Sequence, residues 1–309
     1  MIDTIYHYTN AQGILGILNK QEEKINLWFT HYKYLNDTSE GTELQRIYNN
    51  AIDDMKEKNE LTGEEYASIK DLQFEDKHMY AYTTMDGEEP LTRINFAEDD
   101  SYICCFSKNG DSLNMWRYYS KQDTGYAIGL FSFVMEREAK IDYFSPQETR
   151  IGKFAWEEVV YDDNRKKELI RASIIEAIKE TKEFEQLVAQ EGKRVSYLYS
   201  LCSAVQSALI PYKFYFKHSC FQSEEEIRCI LTIPKDKELA TEKNPFKVSY
   251  RNRGGIITPY IVVPFSRKAL RSVTVSPTAP SEAKETMQEY LGDYKDKVFV
   301  MKSELPIRF

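Results

Sequence analysis

Cysteine is scarce and shows no pairing pattern. The five in 309 residues (Cys104, Cys105, Cys202, Cys220 and Cys229) are odd in number and contain no C-x-x-C pair. Neither a disulfide framework nor a cysteine-based zinc site is indicated. The four histidines, His7, His31, His78 and His218, have no metal-ligand spacing, so no metal is expected. Glycine is sparse as well, at 13 residues. The Gly13–Gly16 stretch GILG lacks the G-x-G-x-x-G spacing and no GKS or GKT occurs, which argues against a Rossmann or P-loop nucleotide site. G-x-S-x-G is absent too. Positive charge is in deficit, the formal net charge being -8. That opposes broad phosphate-driven binding of nucleic acid but leaves room for a local basic groove. No apolar run approaches the length of a membrane span, and the first residues carry neither a basic nor an apolar leader region. The expectation is a reduced, soluble, cytoplasmic protein with no membrane partner.

Aromatic residues are plentiful. Tyrosine stands at 22, against 16 phenylalanines and 3 tryptophans, and hydrophobic residues make up 42% of the chain. Tyrosine buries area while keeping one polar end, so such a chain favours amphipathic clefts. The length fits one large α+β domain or two smaller ones.

IYHYT reads as a strand, with Asn10 as N-cap of a helix from Ala11 to about Asn19 whose Ile14, Leu15 and Leu18 share a face. INLWFT (Ile25 to Thr30) is a second strand, and TSEGTELQRIYNNAIDDMKEKNE reads as a polar, solvent-facing helix. The acidic stretch up to Asp100 suggests a further helix and a variable insertion. YICCFS (Tyr102 to Ser107), YAIGLF (Tyr126 to Phe131) and FAWEEVVY read as strands, and SLNMWRYYS between the first two as a short helix. Residues 164–209 show helical spacing, broken near Glu191-Gly192 into two helices. EEIRCILTI (Glu225 to Ile233) is a strand, and the charged PKDKELATEKNP a linker. YIVVPF, SVTVSP, a helix at APSEAKETMQEYL and a strand with tail, KVFVMKSELPIRF, complete the chain. Short strands mixed with helices, without regular βαβ alternation, favour α+β.

Three stretches could carry chemistry. In IYHYT, Tyr6 and Tyr8 share one strand face while His7 shares the other with Ile5 and Thr9. His7 is either a core histidine bonded to a backbone carbonyl or a donor to a ligand hydroxyl. In SEEEIRCI, strand geometry puts Glu224, Glu226 and Arg228 on one face. They form either a solvated ion-pair ladder or a covered carboxylate site able to stabilise an oxocarbenium-like carbon. In MWRYY, Trp116 and Tyr119 lie three apart on one helix face, as core packing or as a platform for a flat ligand. Lys213, Lys217, Arg251 and Arg253 are candidates for a modest basic patch.

Taken together, IYHYTNAQGILGIL…LWFTHYKYLNDTSE, CFSKNGDSLNMWRYYSKQDTGYAIGL, YFKHSCFQSEEEIRCI, SVTVSP and SELPIRF resemble a bacterial family catalogued as a domain of unknown function (DUF2971), in the same order from Ile5 to Phe309. The H-Y-T strand followed by a small-residue helix and a strand is also similar to ADP-ribosyltransferases of the histidine-tyrosine-glutamate class and to toxins that ADP-ribosylate DNA. That second resemblance implies a split mixed β-sheet core with NAD as co-substrate. It implies a single domain over 1–309, with helical insertions at about 38–95 and 164–209. His7, with Tyr8 and Thr9 beside it, would hold a ribose of NAD. Tyr119, with Tyr118 as fallback and Trp116 adjacent, would stack on nicotinamide. Glu226 would be the catalytic carboxylate, Glu224 would complete an E-x-E pair, and Arg228 would line the site. The implied activity is transfer of ADP-ribose to a macromolecule (RNA, DNA or protein) by a toxin or anti-phage effector, with a neutralising antitoxin as possible partner. The alternatives are an NAD glycohydrolase and an inactive nucleotide- or partner-binding module.

Overall fold

The structure is a computed structural model that describes residues 3–35, 42–74, 100–119, 124–142, 153–190, 196–233, 246–294 and 296–306. In chain order the first elements are β1 (Thr4–Asn10), α1 (Ala11–Ile17), β2 (Lys24–His31), α2 (Thr42–Glu57) and α3 (Gly63–Ile69). Next come β3 (Asp100–Ser107), α4 (Leu113–Tyr119), β4 (Gly125–Phe131), α5 (Ser132–Asp142) and β5 (Lys153–Glu158). Two long helices follow, α6 (Asp163–Gln190) and α7 (Tyr197–Leu209), and then β6 (Glu226–Ile233). The chain closes with β7 (Val248–Arg253), β8 (Ile256–Ser266), β9 (Leu270–Val275), α8 (Ala283–Leu291) and β10 (Phe299–Lys302). The architecture is mixed α and β, an open mixed sheet with helices. The charged linker 234–245, His78 within 75–99, and the tail 307–309 lie outside the described residues.

The chain divides into two compact units, Met1–Leu35 with Asp99–Val159 and Cys220–Phe309, and Asn36–Glu98 with Val160–Ser219. The first holds the sheet, with strand order β10-β9-β4-β1-β3-β2-β8-β7 and β6 pairing with both β3 and β5. Among the described strands only β9 and β10 run parallel. The two edges of β3 differ. One carries β6 along its whole length. The other is divided: β1 joins at Tyr6↔Ser107 and β2 at Thr30↔Ile103 and His31↔Tyr102. The sheet therefore splits between β1 and β2.

Following the register across the strands separates two faces. Ile5, Phe106, Ile128, Ile227 and Phe265 lie on the face that α1 covers with Ile14, Ile17 and Leu18, all buried in one core. Each such side chain contributes about 1.5–3 kcal/mol by burial. Tyr6, Tyr8, Ser107, Glu226 and Arg228 lie on the other, which we call the α4 face because Met115 and Trp116 of α4 pack there against Tyr8 and Ala127. Asn10 caps α1 as expected, its side chain accepting from the Gly13 amide at 2.9 Å. Leu15, however, is 51% exposed and Ile17 takes its place in the core. The i, i+3, i+4 set Ile14, Ile17 and Leu18 forms the buried stripe, and Leu15 points away.

The second unit is helical, formed by α2, α3, α6 and α7, the two long helices being those expected around residues 191–192. Its α2 departs from the polar, solvent-facing helix of the sequence reading. Leu44, Ile47, Tyr48, Ala51, Ile52 and Met55 recur at helical spacing and are all buried. Glu43 is buried on the same helix. Burial by itself would raise its carboxyl, but hydrogen bonds from Arg46 (2.8 Å) and Lys166 (2.5 Å) hold it below the usual carboxylate range.

Candidate functional site

The strongest chemical feature of the first unit is at the start of β6. Glu225, exposed, has a left-handed φ of 45° and joins a 3-10 turn (Ser219–Glu224) to the strand. Its carbonyl accepts from the Lys108 amide at 2.9 Å, which ties the reversal to the end of β3. Glu226 then enters in register with Ser107, and the strand alternation places Arg228 beside it. The Arg228 Nε donates to Glu226 Oε1 at 2.9 Å and Nη2 donates to Oε2 at 3.0 Å. Both are buried, at 1% and 5% exposure. A two-donor fork of this kind fixes the carboxylate plane. Burying an ion pair is expensive, and removing one partner from such a pair costs about 3–5 kcal/mol. This strand is therefore covered, and a solvated ladder is set aside.

Glu224 is placed differently from the sequence reading. It closes the 3-10 turn and is half-buried, so the alternation does not extend back to it. The left-handed Glu225 breaks the two-residue period, and the expected shared face of Glu224, Glu226 and Arg228 is reduced to the last two. A third acidic residue, absent from that reading, is Glu157 on β5, directly opposite Arg228. Burial pushes its carboxyl above the usual range. Its only signal in the sequence is position within the FAWEEVVY strand. The cross-strand neighbour that gives it meaning lies some seventy residues on.

On the same face, α4 sits over Tyr8. The Tyr8 and Trp116 rings meet edge-on at 4.8 Å, and the Tyr8 and Tyr119 rings are tilted at 6.4 Å. Tyr8 donates to the Asn109 carbonyl at 2.8 Å and accepts from the Ser112 amide at 3.0 Å. Burial pushes its phenol up. Trp116 is fully buried, with Nε1 donating to Asp111 at 2.7 Å. Tyr8 and Trp116 are thus packing residues. Tyr119 is partly buried against them and Tyr118 is 54% exposed, so these two remain the rings a ligand could meet.

His7 lies on the opposite, α1 face, in a ring contact with Phe106 at 5.8 Å. Its Nδ1 is 2.9 Å from the Cys105 carbonyl, an oxygen that can only accept, so Nδ1 carries the hydrogen. Desolvation by burial lowers its pKa, and the nearby Arg251 adds to this effect against the bond to Cys105. His7 is therefore neutral at physiological pH, holding the β3 backbone where β1 and β2 part. Thr9 packs against α1, where a Cβ on Gly13 would come 1.9 Å from its hydroxyl. The register thus groups Tyr8, Trp116, Tyr119, Glu226 and Arg228 on one face and His7 with Thr9 on the other.

The comparisons bear on this region. A family model described as Protein of unknown function (DUF2971) matches residues 115–229. No curated protein and no solved structure matches the chain. The matched stretch runs from Met115 in α4 to Cys229 in β6. It therefore spans Trp116, Tyr118, Tyr119, Glu157, Glu224, Glu226 and Arg228, and it supports the resemblance to that family.

The basic residues fall in different units. Arg251 and Arg253 share a face of β7 in the first, while Lys213, set over the Phe214 ring at 4.8 Å, and the buried Lys217 belong to the second. Among the described residues no group of acidic, histidine and cysteine side chains could hold a metal ion. No described helix is long and apolar enough to cross a membrane.

Proposed function

We propose that the chain is an NAD-dependent ADP-ribosyltransferase built on a split, ADP-ribosyltransferase-like sheet, with Glu226 as its catalytic carboxylate. The observation that carries the proposal is the buried Glu226, fixed by Arg228 at the first residue of β6. A charge kept out of water at this cost needs a purpose. A carboxylate accepts through both oxygens, the chemistry needed to hold a ribose hydroxyl. As the bond from the ribose C1′ to nicotinamide breaks, nicotinamide leaves with the electron pair and Glu226 stabilises the positive charge left on the sugar. A nucleophile on the acceptor then forms the new bond to C1′ and gives up its proton. Tyr119 or Tyr118 flanks the nicotinamide ring. His7 acts from the other face by fixing the Cys105 carbonyl, a positioning role in place of the ribose contact implied by the resemblance. In this reading the acceptor is a nucleic acid or protein, and the biological setting is a toxin or anti-phage effector held in check by an antitoxin.

A second reading, an inert nucleotide-binding module on the same fold, draws support from the engagement of both Glu226 oxygens by Arg228. Incubation with NAD labelled in its adenylate phosphate and a bacterial extract separates the readings. Transfer predicts label in a macromolecular fraction, sensitive to nuclease or to protease. Glu226→Gln, which keeps one acceptor oxygen for Arg228, is expected to lower it by about 10²–10³-fold in protein whose melting curve shows it folded. Label only in free ADP-ribose would favour a glycohydrolase, and thermal stabilisation by NAD without turnover would favour the inert module.

A further inference from the structure

Arg251, on the same sheet face as Glu226, is a cation with no ion-pair partner among the described residues. Through the register, Glu226 lies beside Ser107 on β3, and four residues along β3 Ile103 pairs with Thr30, which pairs with Tyr260 on β8. Arg251 projects onto that same face, opposite Thr258. Its Nη2 donates to Thr30 Oγ1 at 2.7 Å. The guanidinium sits 5.1 Å from the Trp28 ring centre and 5.2 Å from that of Tyr260. Its Nε is buried and has no hydrogen-bond partner among the described residues. Among the described residues it forms no ion pair, whereas Arg46, Arg165, Arg171 and Arg228 each hold a carboxylate. Arg253, two residues on and on the same face, adds a second positive charge, and burial together with Arg253 holds the Arg251 pKa below its usual value. Two aromatic faces and one hydroxyl hold the guanidinium in place. They supply no negative charge, so among the described residues the partly desolvated cation keeps spare donors.

We propose that Arg251 forms an anion subsite that takes the diphosphate of a nucleotide on the face shared with Glu226. A guanidinium offers parallel N–H donors to phosphate oxygens, and the Nη hydrogens that Thr30 does not use supply them. The rows of Glu226 and Thr30 are separated by four residues of β3, roughly 13 Å at 3.3 Å per residue. An extended nucleotide bridges that gap with its ribose at one end and its phosphates at the other. The identity of the phosphate rests on the NAD reading, whereas the anion site stands on an arginine that has no ion pair among the described residues.

The test is calorimetric titration of the full chain with inorganic diphosphate and with ADP-ribose, for wild type and for Arg251→Gln. Wild type is expected to bind both, ADP-ribose the tighter, and the variant to bind both at least about 10-fold more weakly. Because the arginine has no ion pair among the described residues, Arg251→Gln should leave the ligand-free Tm unchanged or raised. Arg251→Lys, which keeps the charge but loses the fork, should fall between the two and serves if the glutamine variant does not fold. Unchanged affinities in folded variants would overturn the subsite and leave Arg251 as aromatic packing. Binding of diphosphate without ADP-ribose would overturn the nucleotide assignment. Loss of ADP-ribose binding in Arg251→Gln alongside full activity in Glu226→Gln would keep the subsite and refute the transferase.

Discussion

At the scale of single residues, the tract around β1 shows how much a two-residue period can decide. Tyr6 and Tyr8 face α4 while His7 faces α1, so neighbouring residues serve opposite sides of the sheet. The Tyr6 ring is held so closely that a Cβ on Gly110 would come within 2.4 Å of it, and one on Gly129 within 3.1 Å. His7→Ala would remove the donor to the Cys105 carbonyl at the split in the sheet. The expected cost is about 1–3 kcal/mol in urea-induced unfolding at pH 7. The pH dependence follows from the direction of the shift, since the folded pKa lies below the unfolded value of 6.5. The unfolded state then binds the extra proton, so wild type loses stability as the pH falls through about 6.5, and His7→Ala should flatten that slope. An unaltered slope would show that His7 is not held neutral. The alternation of IYHYT is legible in the sequence, and so is the histidine's choice between backbone carbonyl and ligand. The carbonyl it meets is not, because Cys105 lies 98 positions away.

At the scale of elements, strands and helices follow from local pattern, but their faces and ends depend on partners. The strands around β3 and β4 and the two helices α6 and α7 stand close to where periodicity places them. The start of β6 does not, because a single left-handed residue, Glu225, cannot be read from a run of three glutamates. Nor is β7 evident. VSYRNR alternates polar and apolar residues weakly, and it is held as a strand by a two-residue turn at Gly254 and Gly255, both at positive φ. Of the second unit, α3 carries the clearest local signal, a capping box in which Thr62 and Glu65 satisfy each other's backbone amides. Glu65 also accepts from Tyr197 at 2.6 Å, with Lys182 at 3.2 Å. Burial opposes the charge, but these hydrogen bonds pull its carboxyl down to about 2. A depressed folded pKa stabilises above the unfolded value of about 4.5 and is lost as pH falls towards 2. Glu65→Gln should therefore cost about 1–3 kcal/mol at pH 7. The wild-type and variant stabilities should converge near pH 2, as followed by far-UV circular dichroism. A constant gap down to pH 2 would contradict the assignment.

At the scale of the whole molecule, each unit has a large hydrophobic core among the described residues, one under the sheet and one among α2, α3, α6 and α7, with a smaller cluster of Tyr8, Met115, Trp116 and Ala127 on the α4 face. Interleaving of their segments is hard to read from sequence, because each unit is completed by residues far along the chain. All three tryptophans, Trp28, Trp116 and Trp156, belong to the first unit. Ile174→Ala removes a fully buried side chain of the helical unit, at an expected cost of about 2–5 kcal/mol. Its helical dichroism should melt earlier while tryptophan fluorescence keeps the wild-type midpoint. Equal shifts by both probes would show one cooperative unit.

In the proposed reaction Glu226 acts on the sugar bearing nicotinamide. Chromatographic measurement of nicotinamide released from NAD by the full chain tests it most directly, with wild type compared against Glu226→Gln. Release by wild type is expected, with a loss of about 10²–10³-fold in a variant whose melting curve shows it folded. Release that persists unchanged in the folded Glu226→Gln protein would contradict it.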